Sequence, residues 1–121
     1  MPRLYLILVA LVSFTTYGQN LLGKYLDFAD EQYAKGDYLY ALQYYEKAME
    51  IDSNSVSILW KYAETLRGYK DYRKASYYYQ KVYEKEETSM YPSSLLQWGL
   101  KEKQNGHYEQ AIELFKTAKK K

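Results

Sequence analysis

The sequence predicts an all-α protein made of three tandem helical hairpins. A stretch with helical spacing of apolar residues, from Gly36 to Ile51, recurs twice later in the chain. The alanines that mark these copies are separated by 34 residues between Ala41 and Ala75, and by 36 residues between Ala75 and Ala111. Such periods are typical of helical repeat arrays, and turn-forming residues separate the apolar stretches. The repeats are expected over about residues 22–55, 56–91 and 92–121.

The first hairpin has clear start and stop signals. Its first helix is predicted from about Leu22 to Lys35, where apolar residues recur at steps of three and four. Gly36 can take the left-handed conformation that ends a helix, and Asp37 can cap the next one. The second helix, Tyr38–Ile51, ends at the polar turn 52–55, which offers N-cap side chains to the third helix.

The second and third hairpins follow the same plan. The four remaining helices are expected over residues 56–69, 72–85, 92–104 and from 108 to the end. The connector 86–91 absorbs the two extra residues of the second step. Pro92 suits the first turn of the fifth helix, because the missing amide proton of proline has no partner to lose there. Asn105 and Gly106 close that helix, and the short turns make each pair antiparallel.

The N-terminal segment differs in composition from the rest of the chain. Its first three residues carry one positive charge, Leu4–Phe14 is almost wholly apolar, and small and polar residues follow. This order is typical of a secretory signal peptide, predicted here over residues 1–18. We expect cleavage after Gly18, which leaves the domain 19–121 with Gln19 first. An uncleaved membrane anchor is the alternative, although a spanning helix needs ~20 apolar residues and this run has about half that number.

Composition excludes several classes of function. A formal net charge of +2 is too weak to predict a nucleic-acid partner. The chain has no cysteine, so it forms no disulfide and carries no lipid-modified N-terminal cysteine. His107 is the single histidine, and a zinc site of the usual composition cannot be assembled. It replaces Asp37 and Asp71 of the other copies, and we interpret it as a turn residue. We expect no metal, no cofactor and no catalytic residues.

Two further patterns recur in the three copies. In the first helices a large residue precedes a small one: Phe28 and Ala29, Tyr62 and Ala63, Trp98 and Gly99. In the second helices an alanine stands four residues before an aromatic one: Ala41 and Tyr45, Ala75 and Tyr79, Ala111 and Phe115. Small residues let two helices approach closely. Ala29 and Ala41 would therefore make the first contact, with Phe28 and Tyr45 filling the space around it. Over about residues 22–121 the chain resembles the tetratricopeptide repeat proteins.

The resemblance implies a right-handed α-solenoid, with a concave groove lined by the first helix of each pair. Carried over position by position, the groove residues are Leu26, Asp30, Tyr33, Trp60, Glu64, Arg67, Leu96, Leu100 and Lys103. Family members that hold acidic chaperone tails use a basic clamp, but Leu26 and Asp30 occupy clamp positions here, with Lys61 the one basic residue left. The remaining face suits an extended peptide or a partner helix. The alternative is that the array itself covers Trp60 and Leu96.

Departures from the repeat pattern fall at the turns. Lys70 stands where the other copies have Gly36 and Gly106, and Ser53 and Glu87 replace the proline that usually closes a repeat. We expect these changes to loosen the turns without changing the fold.

The function favoured by the sequence is a non-enzymatic scaffold for protein partners outside the cytoplasm. The chain looks like N-terminal modules of exported bacterial envelope proteins, some of them parts of larger secretion- or peptidoglycan-associated proteins. The expected location is therefore periplasmic or outer-membrane associated. A self-assembling structural subunit, active as a homo-oligomer, is the main alternative. A hydrolytic enzyme would need a convergent polar pocket, which the sequence does not indicate.

Overall fold

The computed structural model describes residues 2–85 and 93–120, and in these residues the only regular element is the α-helix. The six helices are α1 (Pro2–Ala34), α2 (Tyr38–Ile51), α3 (Val56–Tyr69), α4 (Tyr72–Lys85), α5 (Ser94–Gln104) and α6 (Tyr108–Lys120). Each helix packs mainly against the next one along the chain. The predicted all-α class and the order of the helices are confirmed. The connector 86–91 and Pro92 lie outside the described residues.

The first helix is longer than the sequence pattern predicts. Its expected start at Leu22 is wrong, because α1 begins at Pro2 and runs unbroken through Gly18 and Gly23. Neither glycine takes a positive φ, and the leucines before them, with Ala10, are good helix formers. Cleavage after Gly18 stays a prediction. Within the described part of the chain, no helix has an apolar stretch long enough to cross a membrane.

The three hairpin turns close in the same way. In each, a backbone N–H bonds to the carbonyl oxygen five residues earlier: Asp37 to Gln32 at 2.9 Å, Asp71 to Leu66 at 3.0 Å and His107 to Glu102 at 2.8 Å. This is the bond of a Schellman motif, and it needs a left-handed residue just before the donor. Gly36, Lys70 and Gly106 supply that residue with φ of 78°, 69° and 84°. The expected loosening at Lys70 is therefore wrong, since lysine adopts the same turn as the glycines.

Side-chain caps follow the prediction at one turn and not at another. Ser55 accepts a hydrogen bond from the backbone N–H of Ile58 at 3.3 Å, which caps α3 as predicted. The Asp37 side chain makes no such bond to α2, so its expected cap is wrong. Backbone bonds alone therefore close the first turn.

Small residues lie where the helices meet, as predicted. Ala29 and Ala41 are fully buried, and Tyr45 fills the space beside them. Phe28 does not, because its side chain is 49% exposed and stacks on Tyr44 at 5.4 Å. The reason is its place in the array. Tyr62, at the same position of the second repeat, is only 3% exposed, and its hydroxyl donates a hydrogen bond to Glu46 of α2 at 2.6 Å. The described residues place no earlier hairpin beside Phe28 that could cover it in the same way.

Candidate functional site

A cavity of about 300 Å³ opens between α1, α2 and α3. Six residues line it: Asp30, Tyr33, Tyr45, Trp60, Lys61 and Glu64. Four of them were expected in the groove from the sequence, namely Asp30, Tyr33, Trp60 and Glu64. The other two, Tyr45 and Lys61, come from positions that the groove prediction did not include.

The carboxylate of Asp30 joins three helices. The hydroxyl of Tyr45, on α2, donates to Asp30 Oδ1 at 2.5 Å. Lys61 Nζ, on α3, lies 3.0 Å from Oδ1 and 2.9 Å from Oδ2. The resulting ion pair connects the first helix of one repeat to the first helix of the next. It lies at the cavity wall and is partly open to water.

Glu64 repeats this arrangement one hairpin further along. The hydroxyl of Tyr79 donates to Glu64 Oε1 at 2.7 Å, and Arg67 Nη2 donates to Oε2. Two tyrosine–carboxylate pairs, each bridging the helices of one hairpin, thus stand 34 residues apart along the chain. The two tyrosine side chains are buried, so their hydroxyl groups are fixed as donors by packing.

Burial also keeps these hydroxyl groups protonated. Loss of hydration, the hydrogen bond to Asp30 and the charge of that carboxylate raise the pKa of Tyr45 far above the ordinary value. Burial and Glu64 raise the pKa of Tyr79 in the same way. At any physiological pH both tyrosines are therefore neutral donors that point at a charged acceptor.

Aromatic rings form the remaining walls. Trp60 packs edge-on against Tyr79 with ring centroids 5.5 Å apart, and Tyr33 packs on Tyr38 at 5.6 Å. Tyr33 is 37% exposed and Trp60 is half-buried against the core. Burial and then the charge of Glu64 raise the pKa of Tyr33, while Arg67 acts in the opposite direction with a smaller effect.

The other predicted groove residues do not line the cavity. Leu26 packs against the core, and Arg67 contributes through its bond to Glu64. Leu96 is exposed, so the array does not cover it as the alternative reading required, and Lys103 is exposed as well. The last residue, Leu100, is half-buried. The cavity therefore belongs to the first two repeats.

A second polar cluster lies where α4, α5 and α6 meet. Glu102 is buried and accepts a hydrogen bond from Ser76 Oγ, and its Oε2 lies 2.5 Å from His107 Nδ1. The sequence reading of His107 as a turn residue agrees with its place before α6, but the contact with Glu102 was not predicted. The third repeat is thus tied to the second through polar side chains.

Lys101 is an unexpected buried cation beside this cluster. Its ammonium group donates to Gln104 Oε1 at 2.6 Å and lies 4.6 Å from the ring centre of Tyr72. Burial, and secondarily the positive charge of Arg67, lower the pKa of Lys101. No repeat pattern predicts a buried cation there, since the same position of the second repeat holds Thr65.

Neither a metal site nor a relative adds to what the cavity indicates. Among the described residues, no group of three or more histidine and acidic side chains is arranged to hold a metal ion. No protein-family model matches the sequence, and no curated protein matches it either.

Proposed function

We propose that this protein is a non-enzymatic scaffold that binds a protein or peptide partner in the groove of its first two repeats. The observation that supports this most directly is the cavity walled by Tyr33 and Trp60, with Asp30 and Glu64 at its polar side. Aromatic walls with a few fixed polar groups are the usual composition of a binding pocket. Tyrosine and tryptophan are also the side chains that most often carry binding energy at protein interfaces.

The proposal includes a tetratricopeptide repeat fold that curves as a right-handed solenoid. Support comes from three sequence copies and from one turn geometry used three times, at Gly36, Lys70 and Gly106. In such arrays the first helices line the concave side, and Asp30 on α1 and Lys61 on α3 form an ion pair between two first helices.

The proposed place of action is the bacterial cell envelope, on the periplasmic side or at the outer membrane. The order of charged, apolar and small residues in segment 1–18 supports export. N-terminal sequencing of the mature protein tests it. Gln19 as the first residue supports cleavage, whereas a mature chain that begins at Met1 makes the segment an anchor.

Site-specific photocrosslinking tests the groove. A photoreactive amino acid at position 33 would face the cavity, and the same amino acid at position 77 would face away from it, on the exposed surface of α4. We expect a partner protein from the envelope fraction to crosslink at position 33 and not at position 77. Crosslinks at position 77 alone would contradict the groove proposal.

A second candidate is a self-assembling structural subunit, favoured by the outer face of α6. Tyr108 is 64% exposed there and Ile112 is exposed beside it. In the first repeat the equivalent Tyr38 packs against Gly68 of α3, and Leu42 is buried. Sedimentation of the chain separates the candidates, because a self-assembling subunit forms oligomers that the substitution Ile112→Lys disrupts, while a scaffold remains monomeric.

A further inference from the structure

We propose that the cavity between α1, α2 and α3 receives a positively charged side chain of the partner peptide, and that arginine is the side chain it fits. The inference rests on the proposed binding function and adds the chemistry of the residue that enters. Its basis is the combination of unused hydrogen-bond acceptors, aromatic faces and cavity size around Asp30 and Glu64.

The two carboxylates hold acceptor capacity that the described bonds do not use. An ionised carboxylate can accept about four hydrogen bonds. Asp30 accepts one from Tyr45 and two contacts from Lys61, and Glu64 accepts one from Tyr79 and one from Arg67. All of these donor groups point at the carboxylates. The carboxylate oxygens therefore remain as the main groups that can bond to a ligand, and they can only accept hydrogen bonds.

The aromatic walls favour the same kind of ligand. Trp60 and Tyr33 line the cavity from different first helices. The face of an aromatic ring carries negative potential, and it attracts a cation placed over it. A guanidinium group is planar and weakly hydrated, so it stacks on such rings while its five N–H groups bond to carboxylates. An ammonium group has the charge but not the stacking plane.

The charge of the lining agrees with a cation. Among the lining residues the charged groups are the carboxylates of Asp30 and Glu64 and the ammonium of Lys61. Arg67 offsets part of the charge of Glu64 from outside the lining. At the hydroxyl of Tyr33, after the larger effect of burial, the charge of Glu64 raises the pKa more than that of Arg67 lowers it.

The size of the cavity selects one side chain rather than a whole peptide. A volume of about 300 Å³ lies at the lower end of ligand pockets. The peptide backbone would then lie outside, along the exposed edge near Tyr33, and one long side chain would enter between the first helices. Lys61, partly exposed, can move away from Asp30 when a guanidinium takes its place.

The test uses the full chain and four peptides that differ in one central residue. That residue is arginine, citrulline, lysine or glutamate within an otherwise uniform glycine and alanine peptide. Citrulline has the shape of arginine without its charge. Binding is followed by the indole N–H signals in nuclear magnetic resonance spectra, where Trp60 lines the cavity and Trp98 does not. The substitution Trp60→Phe assigns the two signals.

We expect the arginine peptide to shift the Trp60 signal saturably, with a Kd in roughly the millimolar range for so small a ligand. The citrulline and glutamate peptides should bind at least about tenfold more weakly, because they lack the charge-assisted bonds. The variant Glu64→Gln keeps an oxygen for Tyr79 and should weaken arginine binding about five- to tenfold. Glu84→Gln, on the exposed surface of α4, is the matched control and should leave it unchanged.

Three results would overturn the inference. They are equal binding of arginine and citrulline, preference for glutamate, and no shift of the Trp60 signal at peptide concentrations up to about 10 mM. The crosslinking experiment separates these from a failure of the proposed function. If a partner crosslinks at position 33 but no arginine-dependent shift is seen, only the proposed cation site is contradicted. If an arginine-dependent shift is seen but no partner crosslinks, the cation site is supported and the scaffold function is contradicted.

Discussion

The hydroxyl of Tyr79 donates to Glu64 Oε1 at 2.7 Å and so ties α4 to α3 inside the second hairpin. The first hairpin contains the same bond between Tyr45 and Asp30, at 2.5 Å. In both, a buried phenol is satisfied by a carboxylate that lines the cavity. An unpaired buried hydroxyl would be costly, so each tyrosine needs its acid as much as the acid needs its donor.

In the third hairpin Phe115 and Leu100 stand at the equivalent positions, so both the hydroxyl and the carboxylate are absent there. This natural pair suggests a test of the dependence by single and double substitution. We expect Tyr79→Phe alone to lower the free energy of unfolding by ~1–3 kcal/mol, since Glu64 loses a bond while staying partly buried. Glu64→Leu alone should also destabilise, because it leaves a buried hydroxyl and Arg67 without their acceptor. The double variant should lose less than the sum of the two, by ~0.5–3 kcal/mol. Urea denaturation measures all three, and additive losses would contradict a coupled pair.

Alkaline pH should destabilise the fold through its buried tyrosines. Burial and a bonded carboxylate raise the pKa of Tyr45, Tyr62 and Tyr79. In the unfolded chain tyrosine loses its proton near pH 10. Above that pH the unfolded state binds fewer protons than the folded state. The contribution of these tyrosines to stability is constant below about pH 10 and should fall as pH rises further. Burial lowers the pKa of Lys101, which has the opposite effect on stability. At pH values below the pKa of unfolded lysine, the unfolded chain holds this proton more tightly than the folded chain, so the contribution of Lys101 to stability rises with pH.

Denaturation curves collected from pH 8 to 12 measure this effect. The absorbance change of ionised tyrosine should include a late component that coincides with unfolding. In Tyr79→Phe one of the three groups is absent, and the decline in stability with pH should be shallower. The same slope in this variant and in the unmodified chain would mean that Tyr79 does not hold its proton on folding.

Close helix packing predicts opposite effects for two glycine substitutions. A Cβ atom added at Gly99 would lie 2.8 Å from Phe115 Cε1 and 3.3 Å from Leu114 Cβ, whereas one added at Gly23 would meet nothing within 4 Å. Gly99→Ala should therefore destabilise by ~1–3 kcal/mol through overpacking. Gly23→Ala should be neutral or stabilise by up to ~1 kcal/mol, because alanine is the better helix former. Thermal unfolding compares them, and equal melting temperatures would contradict the observed contact between α5 and α6.

The sequence predicts local features of this fold better than features that depend on position in the array. Ala29 and Ala41 could be assigned to a helix contact because spacing alone defines it. Phe28 could not be assigned correctly, since its motif is the same as that of Tyr62, but the described residues place no earlier hairpin beside it and it is exposed. Lys70 shows the reverse case, where a residue that disfavours the left-handed region still adopts it because the surrounding turn bonds form.

The candidate site shows the same limit. Asp30, Tyr33 and Glu64 were placed in the groove by the repeat register, which is a local property. The ion pair between Asp30 and Lys61 joins residues that lie 31 positions apart in sequence, and no pattern of spacing identifies the partner. Tyr45 was assigned to the core alone, because a sequence does not show that a ring is buried while its hydroxyl reaches the groove.

Trp60 both lines the cavity and packs against the core, so it is a poor residue for testing binding alone. Because its ring packs edge-on against the buried Tyr79, we expect Trp60→Ala to lower the free energy of unfolding. Its role in binding is better tested through a groove residue that packs less deeply.

Tyr33 and Tyr77 form a matched pair for that purpose. They are 37% and 53% exposed, and each packs against one neighbouring tyrosine ring, Tyr38 at 5.6 Å and Tyr78 at 5.2 Å. Replacement of either by alanine should therefore cost similar stability, ~0.5–1.5 kcal/mol from the lost ring pair. Of these two tyrosines, only Tyr33 lines the cavity. We expect Tyr33→Ala to weaken binding of the crosslinked partner by at least ~1 kcal/mol, about fivefold, and Tyr77→Ala to leave it unchanged. Calorimetric titration with melting curves measures both quantities. If Tyr77→Ala weakens binding as much as Tyr33→Ala, the partner uses the opposite surface, and the aromatic cavity is a feature of packing rather than of recognition.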